Sequence, residues 1–397
     1  MVYDYLIIGS GIIGLSIARD LTGRFPDARI VLLEKEPDVA YHGSGRNSGV
    51  LHAGFYYTAD SLKAKFTREG NKQLREYCYA NNLGINECKK VVVARDEDEL
   101  PALFELEKRG IINGVDVTII DERELNDIDP NVKTFRHALY SPTTATVDPV
   151  EVCHSIKQEL IRKGVQFRFN EAFAERVDGK KIKTSAGNVL YAEKLINTAG
   201  LYADKIAKDF GFSKDYTIIP FKGIYLKYQG GQRPVSVNVY PVPNLKNPFL
   251  GVHFTVTVDG TVKIGPTSMP AFWRENYNGV ENFNASELLH ILNWEARLFL
   301  YNSFGFRNLA IDEVRKYSMR YFTGLAQSMV KKMDVKGFNH WGTPGIRAQL
   351  LNVSTKELVM DFIVEGDKES VHVLNAVSPA FTCSGPFAKW VVENYVL

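Results

Sequence analysis

The sequence has little cysteine and almost no net charge. Its four cysteines, at positions 78, 88, 153 and 383 of 397 residues, form no CxxC pair and have no histidine nearby at metal-ligand spacing. We therefore predict reduced thiols, no bound metal and a cytoplasmic protein. Lysine and arginine total 48 against 46 aspartate and glutamate residues, for a net charge of +2. This balance provides no strong field to attract nucleic acid, so we predict no nucleic-acid partner.

Long apolar runs are also missing. No segment reaches the roughly 18 apolar residues that a membrane-spanning helix needs. The first residues, MVYDYLIIGSG, lack the basic region and apolar stretch of a secretory signal. We predict no transmembrane segment, and membrane contact that is at most peripheral.

The hydrophobic pattern predicts two kinds of architecture. Residues 4–9, 12–25 and 29–34 read as strand, helix and strand, which is a βαβ unit. Residues 216–265 are rich in β-branched and aromatic residues, as in an antiparallel sheet. Helices are predicted over residues 286–301, 312–333 and about 381–395.

We therefore predict an α/β fold, α+β overall, that divides into two domains because 397 residues exceed the usual size of one core. One is a Rossmann-like domain with a parallel sheet, and the other is built on a mixed, largely antiparallel sheet. The first is assigned to residues 1–88, 146–211 and 343–397, and the second to residues 89–145 and 212–342.

A dinucleotide motif lies between the first strand and helix. Gly9, Gly11 and Gly14 form GxGxxG, and Glu34 follows 20 positions later. Glycines permit the tight turn and the close approach of a pyrophosphate, and the helix N-terminus offers N–H groups to the anion. Glu34 can accept hydrogen bonds from a ribose, which favours FAD or NAD over NADP.

The stretch SGRNSGVLHAGFYY, residues 44–57, follows directly after this unit and resembles the flavin-facing segment of the D-amino-acid-oxidase-like FAD oxidoreductases. Within them the chain is most similar to the L-2-hydroxyglutarate dehydrogenases and oxidases. Further similar segments are NTAGLYADKIA (197–207), FLGVHFT (249–255), GPTS (265–268), GIRAQ (345–349) and NAVSPAFTCS (375–384). The resemblance implies that the Rossmann-like domain is an FAD-binding domain, with Gly200 near the FAD pyrophosphate, and that the other is a substrate domain. The FAD-binding residues that it implies are Gly9, Gly11, Ile13, Gly14, Glu34, Lys35, Ser44, Arg46, Asn47, Ser48, Gly49, Leu51, Gly200, Gly345, Ser378, Pro379 and Ala380.

The family chemistry requires a cation for a carboxylate, a base for a hydroxyl proton and a flavin N5 that accepts hydride from C2. Arg347 is the candidate for the carboxylate because its guanidinium binds one bidentately, and Lys222 is the candidate for a second carboxylate. His253 is the preferred base, with His52 as the other catalytic candidate or a flavin contact. Tyr57 and Tyr240 are predicted to contact the substrate.

These features predict FAD-dependent oxidation of a small 2-hydroxy acid, with L-2-hydroxyglutarate converted to 2-oxoglutarate. Two departures from the family bear on the substrate: Lys222-Gly223-Ile224 stands where Arg-Gly-Glu or Arg-Gly-Asp is usual, and Arg46 replaces a His or Asn. Alternatives are an amine oxidase of the glycine, sarcosine or D-amino-acid type, a glycerol-3-phosphate dehydrogenase and a non-catalytic FAD-containing assembly protein. The electron acceptor stays open between oxygen, a quinone and a carrier protein.

Overall fold

The computed structural model describes residues 2–244 and 249–397. In chain order the strands are β1 (Val2–Ile8), β2 (Ile30–Leu33), β3 (Val50–Leu51), β4 (Ile85–Asn86), β5 (Lys90–Val93), β6 (Thr118–Asp121), β7 (His137–Ser141), β8 (Ala145–Val147), β9 (Gln166–Arg168), β10 (Phe173–Arg176), β11 (Lys181–Thr184), β12 (Val189–Asn197), β13 (Tyr216–Gly223), β14 (Leu226–Tyr228), β15 (Asn238–Pro241), β16 (His253–Val256), β17 (Val262–Gly265), β18 (Met269–Pro270), β19 (Phe338–Trp341), β20 (Gly345–Asn352), β21 (Val364–Gly366) and β22 (Ser370–Val373).

The α-helices are α1 (Ile12–Arg24), α2 (Leu62–Ala80), α3 (Leu100–Ile112), α4 (Glu122–Ile128), α5 (Pro149–Arg162), α6 (Ala203–Asp209), α7 (Ala285–Tyr301), α8 (Phe306–Arg315), α9 (Met319–Gln327) and α10 (Ala380–Val391). Helix α10 continues into a π-helical turn at Val392–Val396. Short 3₁₀ turns lie at Glu97–Glu99, Gly200–Tyr202, Ser303–Gly305 and Val335–Gly337.

The chain separates into two compact units built from non-contiguous segments. Unit 1 comprises Met1–Asn47, Pro149–Pro220 and Arg347–Leu397, and unit 2 comprises Ser48–Asp148 and Phe221–Ile346. The FAD-binding domain predicted from the sequence runs on to residue 88 in its first segment, whereas unit 1 ends that segment at Asn47. The assignment of domains to cofactor and substrate stays a prediction.

Unit 1 is organised around a central parallel sheet. Strand β1 pairs in parallel with β2 and β12, β2 with β9, and β12 with β22. Antiparallel strands β11 and β10 extend the sheet on one side, and β21 pairs with β22. The end of β1 is apolar and buried, as expected of a parallel strand covered on both faces, and α1 packs against α5 and α10.

Unit 2 is built on an eight-stranded sheet with the order β19-β14-β17-β16-β15-β5-β7-β6. Its neighbouring strands are antiparallel except β5 and β15, which are parallel. Side chains alternate between the two faces of a strand. One face buries a cluster that includes Val91, Val239, Phe254 and Ile264, so the alternate residues lie on the opposite face. The predicted fold class, with a mixed and largely antiparallel second sheet, is confirmed.

One helix prediction is wrong. Residues 312–333 were predicted to form a single helix, but α8 ends at Arg315 and α9 begins at Met319. Ser318, the N-cap of α9, has an extended backbone with φ of −74° and ψ of 112°, which interrupts the helical path. Within residues 2–244 and 249–397, no helix is both long and apolar enough to cross a bilayer.

Candidate functional site

The glycine motif forms a turn that has no room for larger residues. Gly9 follows β1 with φ of +96°, and a Cβ added there would lie 2.7 Å from the Thr198 carbonyl oxygen. A Cβ on Gly14 would lie 2.1 Å from the Gly9 carbonyl oxygen. Only glycine allows this close approach of strand, turn and helix.

Glu34 follows β2 and is held by the glycine turn. Its carboxylate accepts hydrogen bonds from the Ser10 backbone N–H at 2.9 Å and from the Ser10 hydroxyl at 3.0 Å. The Glu36 N–H donates to its other oxygen at 3.0 Å. These bonds fix a carboxylate at the position where a dinucleotide fold binds a ribose.

The segment after residue 43 closes over the start of α1. Ser44 Oγ accepts a hydrogen bond from the Ile12 N–H at 2.8 Å. Asn47 donates from Nδ2 to the Ser44 carbonyl at 2.7 Å, and Arg46 donates from Nε to the Tyr41 carbonyl at 2.6 Å. The polar side chains of this segment therefore hold it against the N-terminus of α1. Helix N-termini bind anions.

A second turn of unit 1 contacts the glycine motif through Thr198. Its hydroxyl donates to the Gly9 carbonyl at 2.9 Å, and its N–H donates to the Ile8 carbonyl at 2.9 Å. Gly200, predicted to lie near a pyrophosphate, follows two residues later with φ of +53°. The two predicted phosphate-binding turns therefore lie side by side.

The residues of unit 1 fit a dinucleotide cofactor. They combine a turn that excludes Cβ atoms, a helix N-terminus and an oriented carboxylate at a strand end. Unit 1 also carries the start of α10, where the Ala380 N–H donates to the Val377 carbonyl at 3.0 Å. In all, the predicted cofactor residues in unit 1 are Gly9, Gly11, Ile13, Gly14, Glu34, Lys35, Ser44, Arg46, Asn47, Gly200, Ser378, Pro379 and Ala380.

The large sheet of unit 2 carries His253, one of the two predicted catalytic histidines. Tyr240 on β15 lies opposite His253 on β16, and their rings stack with centroids 3.6 Å apart. On the other side of β15, Lys90 on β5 places Nζ 4.1 Å from the centroid of the Tyr240 ring. Three adjacent strands thus carry a buried row of lysine, tyrosine and histidine.

His253 is buried and neutral. Its Nδ1 lies 2.9 Å from the Gly251 carbonyl oxygen, which can only accept a hydrogen bond. Nδ1 therefore carries the hydrogen, and Nε2 keeps its lone pair. Burial, together with the charges of Lys90 and Lys263, lowers the pKa of His253 to about 3. At neutral pH the imidazole therefore offers a free Nε2 lone pair, and the same burial makes it a weak base.

His52 lies in a loop held by Asn71 of α2 and by Asn113, the residue that follows α3. Asn71 on α2 donates from Nδ2 to the carbonyls of Leu51 and His52 at 3.0 and 3.2 Å. Asn113 donates from Nδ2 to the carbonyls of Gly54 and Tyr57, both at 3.0 Å. Burial, and then the charges of Lys90 and His253, holds the pKa of His52 well below its ordinary value.

The two predicted substrate cations lie in different units. Lys222, in unit 2, has long contacts of 3.5 Å from Nζ to Asn276 Oδ1 and to the Tyr277 carbonyl oxygen. Arg347, in unit 1, donates from Nε to Gln349 Oε1 at 3.0 Å. The predicted site residues of unit 2 are Ser48, Gly49, Leu51, His52, Tyr57, Lys222, Tyr240, His253 and Gly345.

Three residues that contact the predicted site residues were not predicted from the sequence: Lys90, Thr198 and Asn71. Lys90 is the first residue of the apolar strand KVVV, and its burial was not predictable because lysine is rarely buried. Thr198 lies in the quoted NTAG segment, but its hydroxyl contact depends on the approach of β1. Asn71 gave no signal, because a polar residue on an amphipathic helix usually faces solvent.

The chain belongs to the family of FAD dependent oxidoreductases, whose family model matches residues 4–394. It is therefore an FAD-dependent oxidoreductase, as the sequence predicted. L-2-hydroxyglutarate dehydrogenase of Escherichia coli K12 is 33% identical over 99% of this chain and 93% of its own length. The mitochondrial L-2-hydroxyglutarate dehydrogenase of Homo sapiens is 33% identical, over 99% of this chain and 88% of its own.

Solved structures share the fold at lower identity. FAD-bound L-alpha-glycerophosphate oxidase from Mycoplasma pneumoniae has a TM-score of 0.78 and 22% identity, covering 99% of this chain and 94% of the other. Glycine oxidase from Geobacillus kaustophilus has a TM-score of 0.72 and 15% identity, with the same coverage. One fold therefore serves hydroxyl and amine substrates, and the choice between them depends on the site.

Proposed function

We propose that this FAD-dependent oxidoreductase oxidises L-2-hydroxyglutarate to 2-oxoglutarate. The observation that carries the proposal is the full-length similarity to enzymes named L-2-hydroxyglutarate dehydrogenase, at 33 or 34% identity over 99% of this chain. The buried neutral imidazole of unit 2 supports it, because oxidation of a hydroxyl needs a group that removes its proton.

His253 is the proposed base. The substrate hydroxyl donates to Nε2, and its proton moves there as the bond between C2 and its hydrogen breaks. Bound FAD supplies the acceptor for that hydrogen, which leaves C2 with two electrons as hydride. The C2–O bond becomes a carbonyl, so proton and hydride together account for the two hydrogens lost. Stacking on Tyr240 and the bond to Gly251 hold the imidazole in one orientation.

Arg347 is proposed to bind the carboxylate next to C2. Its planar guanidinium suits a carboxylate, and Gln349 fixes its orientation through the bond to Nε. Lys222, Tyr57 and Tyr240 are proposed to contact the substrate, and His52 to contact the substrate or the cofactor.

Anaerobic reduction of the bound flavin tests the reaction. L-2-Hydroxyglutarate should bleach the flavin absorbance, whereas glycine, sarcosine, proline and glycerol 3-phosphate should leave it unchanged. Bleaching by the amines alone would replace the proposal with an amine oxidase. Full flavin occupancy without bleaching by any hydroxy acid would favour a non-catalytic FAD protein.

Replacing Arg347 by alanine tests the carboxylate site. Loss of charged hydrogen bonds worth about 3 kcal/mol should raise KM for the hydroxy acid roughly 100-fold. Arg347→Lys should recover part of this loss, because the charge stays while the bidentate geometry is lost. Arg315→Ala, at an exposed arginine of α8, is the matched control and should leave KM unchanged. A normal KM in Arg347→Ala contradicts the assignment.

We also propose a cytoplasmic location, with membrane contact at most peripheral. All four cysteines are free and buried, as expected in a reducing compartment. Fractionation of cells that express the chain tests this location, and recovery in a secreted fraction would contradict it.

A further inference from the structure

Lys90 is a buried cation that the proposed reaction does not use. Its side chain is inaccessible to solvent, and none of the described residues accepts a hydrogen bond from its Nζ. Its neighbours are aromatic: Nζ lies 4.1 Å from the ring centroid of Tyr240, 5.4 Å from that of Tyr56 and 5.7 Å from that of Phe55. Aromatic faces attract a cation but provide no oxygen acceptor for its N–H groups.

A second buried polar group beside Lys90 also lacks a hydrogen-bond partner among the described residues. The Tyr56 hydroxyl is buried, and no described residue forms a hydrogen bond with it. Burial raises the pKa of Tyr56 well above its ordinary value, so this hydroxyl stays protonated and can donate. Buried polar groups almost always have partners, so two neighbouring donors without one indicate that a ligand or water completes the site.

The electrostatics of this cluster select an anion. Among the residues that the structure describes, the titratable groups interacting with Lys90 are the Cys88 thiol, the His52 and His253 imidazoles and the Tyr56 and Tyr240 phenols. None of these groups is a carboxylate. Burial lowers the pKa of Lys90 to about 7, so its charge is only marginally stable without a partner. An incoming carboxylate would stabilise the charged ammonium and receive charge-assisted hydrogen bonds.

We propose that Lys90 and the Tyr56 hydroxyl bind the distal carboxylate of a dicarboxylic 2-hydroxy acid. This inference rests on the proposed function, because it places the reacting hydroxyl at His253. Nζ and the imidazole lie on the two sides of Tyr240, 4.1 and 3.6 Å from the centroid of its ring, so a five-carbon diacid with hydrogen bonds of about 3 Å at either end would reach Nζ by passing around the edge of that ring. The pair would make the enzyme selective for dicarboxylates.

Lys222 is the competing cation for this carboxylate. Its Nζ already lies 3.5 Å from Asn276 Oδ1 and from the Tyr277 carbonyl oxygen, whereas in residues 2–244 and 249–397 no oxygen accepts a hydrogen bond from Lys90 Nζ. The need for a partner is therefore greater at Lys90. A direct comparison of Lys90→Met and Lys222→Met separates the two assignments.

Binding of inert acids to the oxidised holoenzyme tests the proposal without turnover. Glutarate, a five-carbon diacid, and pentanoate, its monocarboxylate counterpart, are titrated while the flavin absorbance is followed. Lys90→Met should raise the glutarate Kd at least tenfold and change the pentanoate Kd less than twofold. Tyr56→Phe should weaken glutarate binding severalfold. Lys89→Met, at the exposed neighbouring lysine, is the matched control and should bind both acids like the wild type.

Three results would overturn the inference. They are an unchanged glutarate Kd in Lys90→Met, equal weakening of both acids, and selective glutarate loss in Lys222→Met alone. If Lys90→Met does not bind FAD, Tyr56→Phe decides, since it removes a single oxygen: selective glutarate loss supports the site and wild-type binding refutes it. A wild-type enzyme that selects glutarate but is not reduced by L-2-hydroxyglutarate would refute the proposed function and leave the diacid site standing.

Discussion

Replacing Gly14 by alanine adds one methyl group where the glycine turn meets α1. The new Cβ would lie 2.1 Å from the Gly9 carbonyl oxygen and 2.8 Å from Thr198 Oγ1. Non-bonded heavy atoms are most favourable at about 3.5 to 4 Å, so the nearer contact is too short by more than 1 Å. Both oxygens belong to the paired turns, and neither is the end of a long flexible side chain. The backbone must therefore move.

The expected loss of FAD affinity in Gly14→Ala follows from two opposing effects. Inserting a methyl group into a packed site costs about 1 to 3 kcal/mol, and the severe overlap favours the upper end of that range. Alanine in place of glycine stabilises a helix by about 1 kcal/mol. The net cost of holding the turn in its native position is about 2 kcal/mol, which corresponds to a roughly 30-fold higher Kd for FAD.

Fluorescence titration of the apoprotein with FAD measures this change. Gly23→Ala is the matched control, because Gly23 lies in the same helix, is exposed and has no described heavy atom within 4 Å of an added Cβ. That variant should keep wild-type FAD affinity and gain up to about 1 kcal/mol of stability. Equal FAD affinity in the two variants would refute the steric reasoning.

Two further substitutions test the chemistry and the electrostatics. His253→Gln should lower kcat by about 10²- to 10⁴-fold with flavin occupancy retained, and wild-type turnover would exclude His253 as the base. Burial raises the pKa of Glu295 to about 8, above the ordinary carboxyl value of 4.5. Between pH 4.5 and 8 the folded state keeps the proton of Glu295 while the unfolded state releases it. The free energy of unfolding should therefore fall by up to about 1.4 kcal/mol per pH unit over this range. Denaturant midpoints should show that Glu295→Gln removes this loss, whereas the control Asp312→Asn, at an exposed residue, should retain it.

Predictions from the sequence were most accurate for features that depend on local backbone geometry. The strand, turn and helix around Gly9 and Gly14 follow from a short motif, because glycine spacing and apolar periodicity are both local properties. Glu34 was found for the same reason, since its distance along the chain from the last glycine is characteristic of the fold. The break between α8 and α9 was missed because Ser318 gave only a weak signal within an amphipathic pattern.

The sequence by itself determined the FAD-binding motif, the fold class and the candidate residues for proton and carboxylate chemistry. Only the tertiary structure decided that Lys90, Tyr240 and His253 form one buried row, because residues distant in sequence become neighbours through the pairing of β5, β15 and β16. Register across strands depends on the whole sheet and not on local pattern. The charge state of each buried group likewise depends on neighbours that only folding brings together.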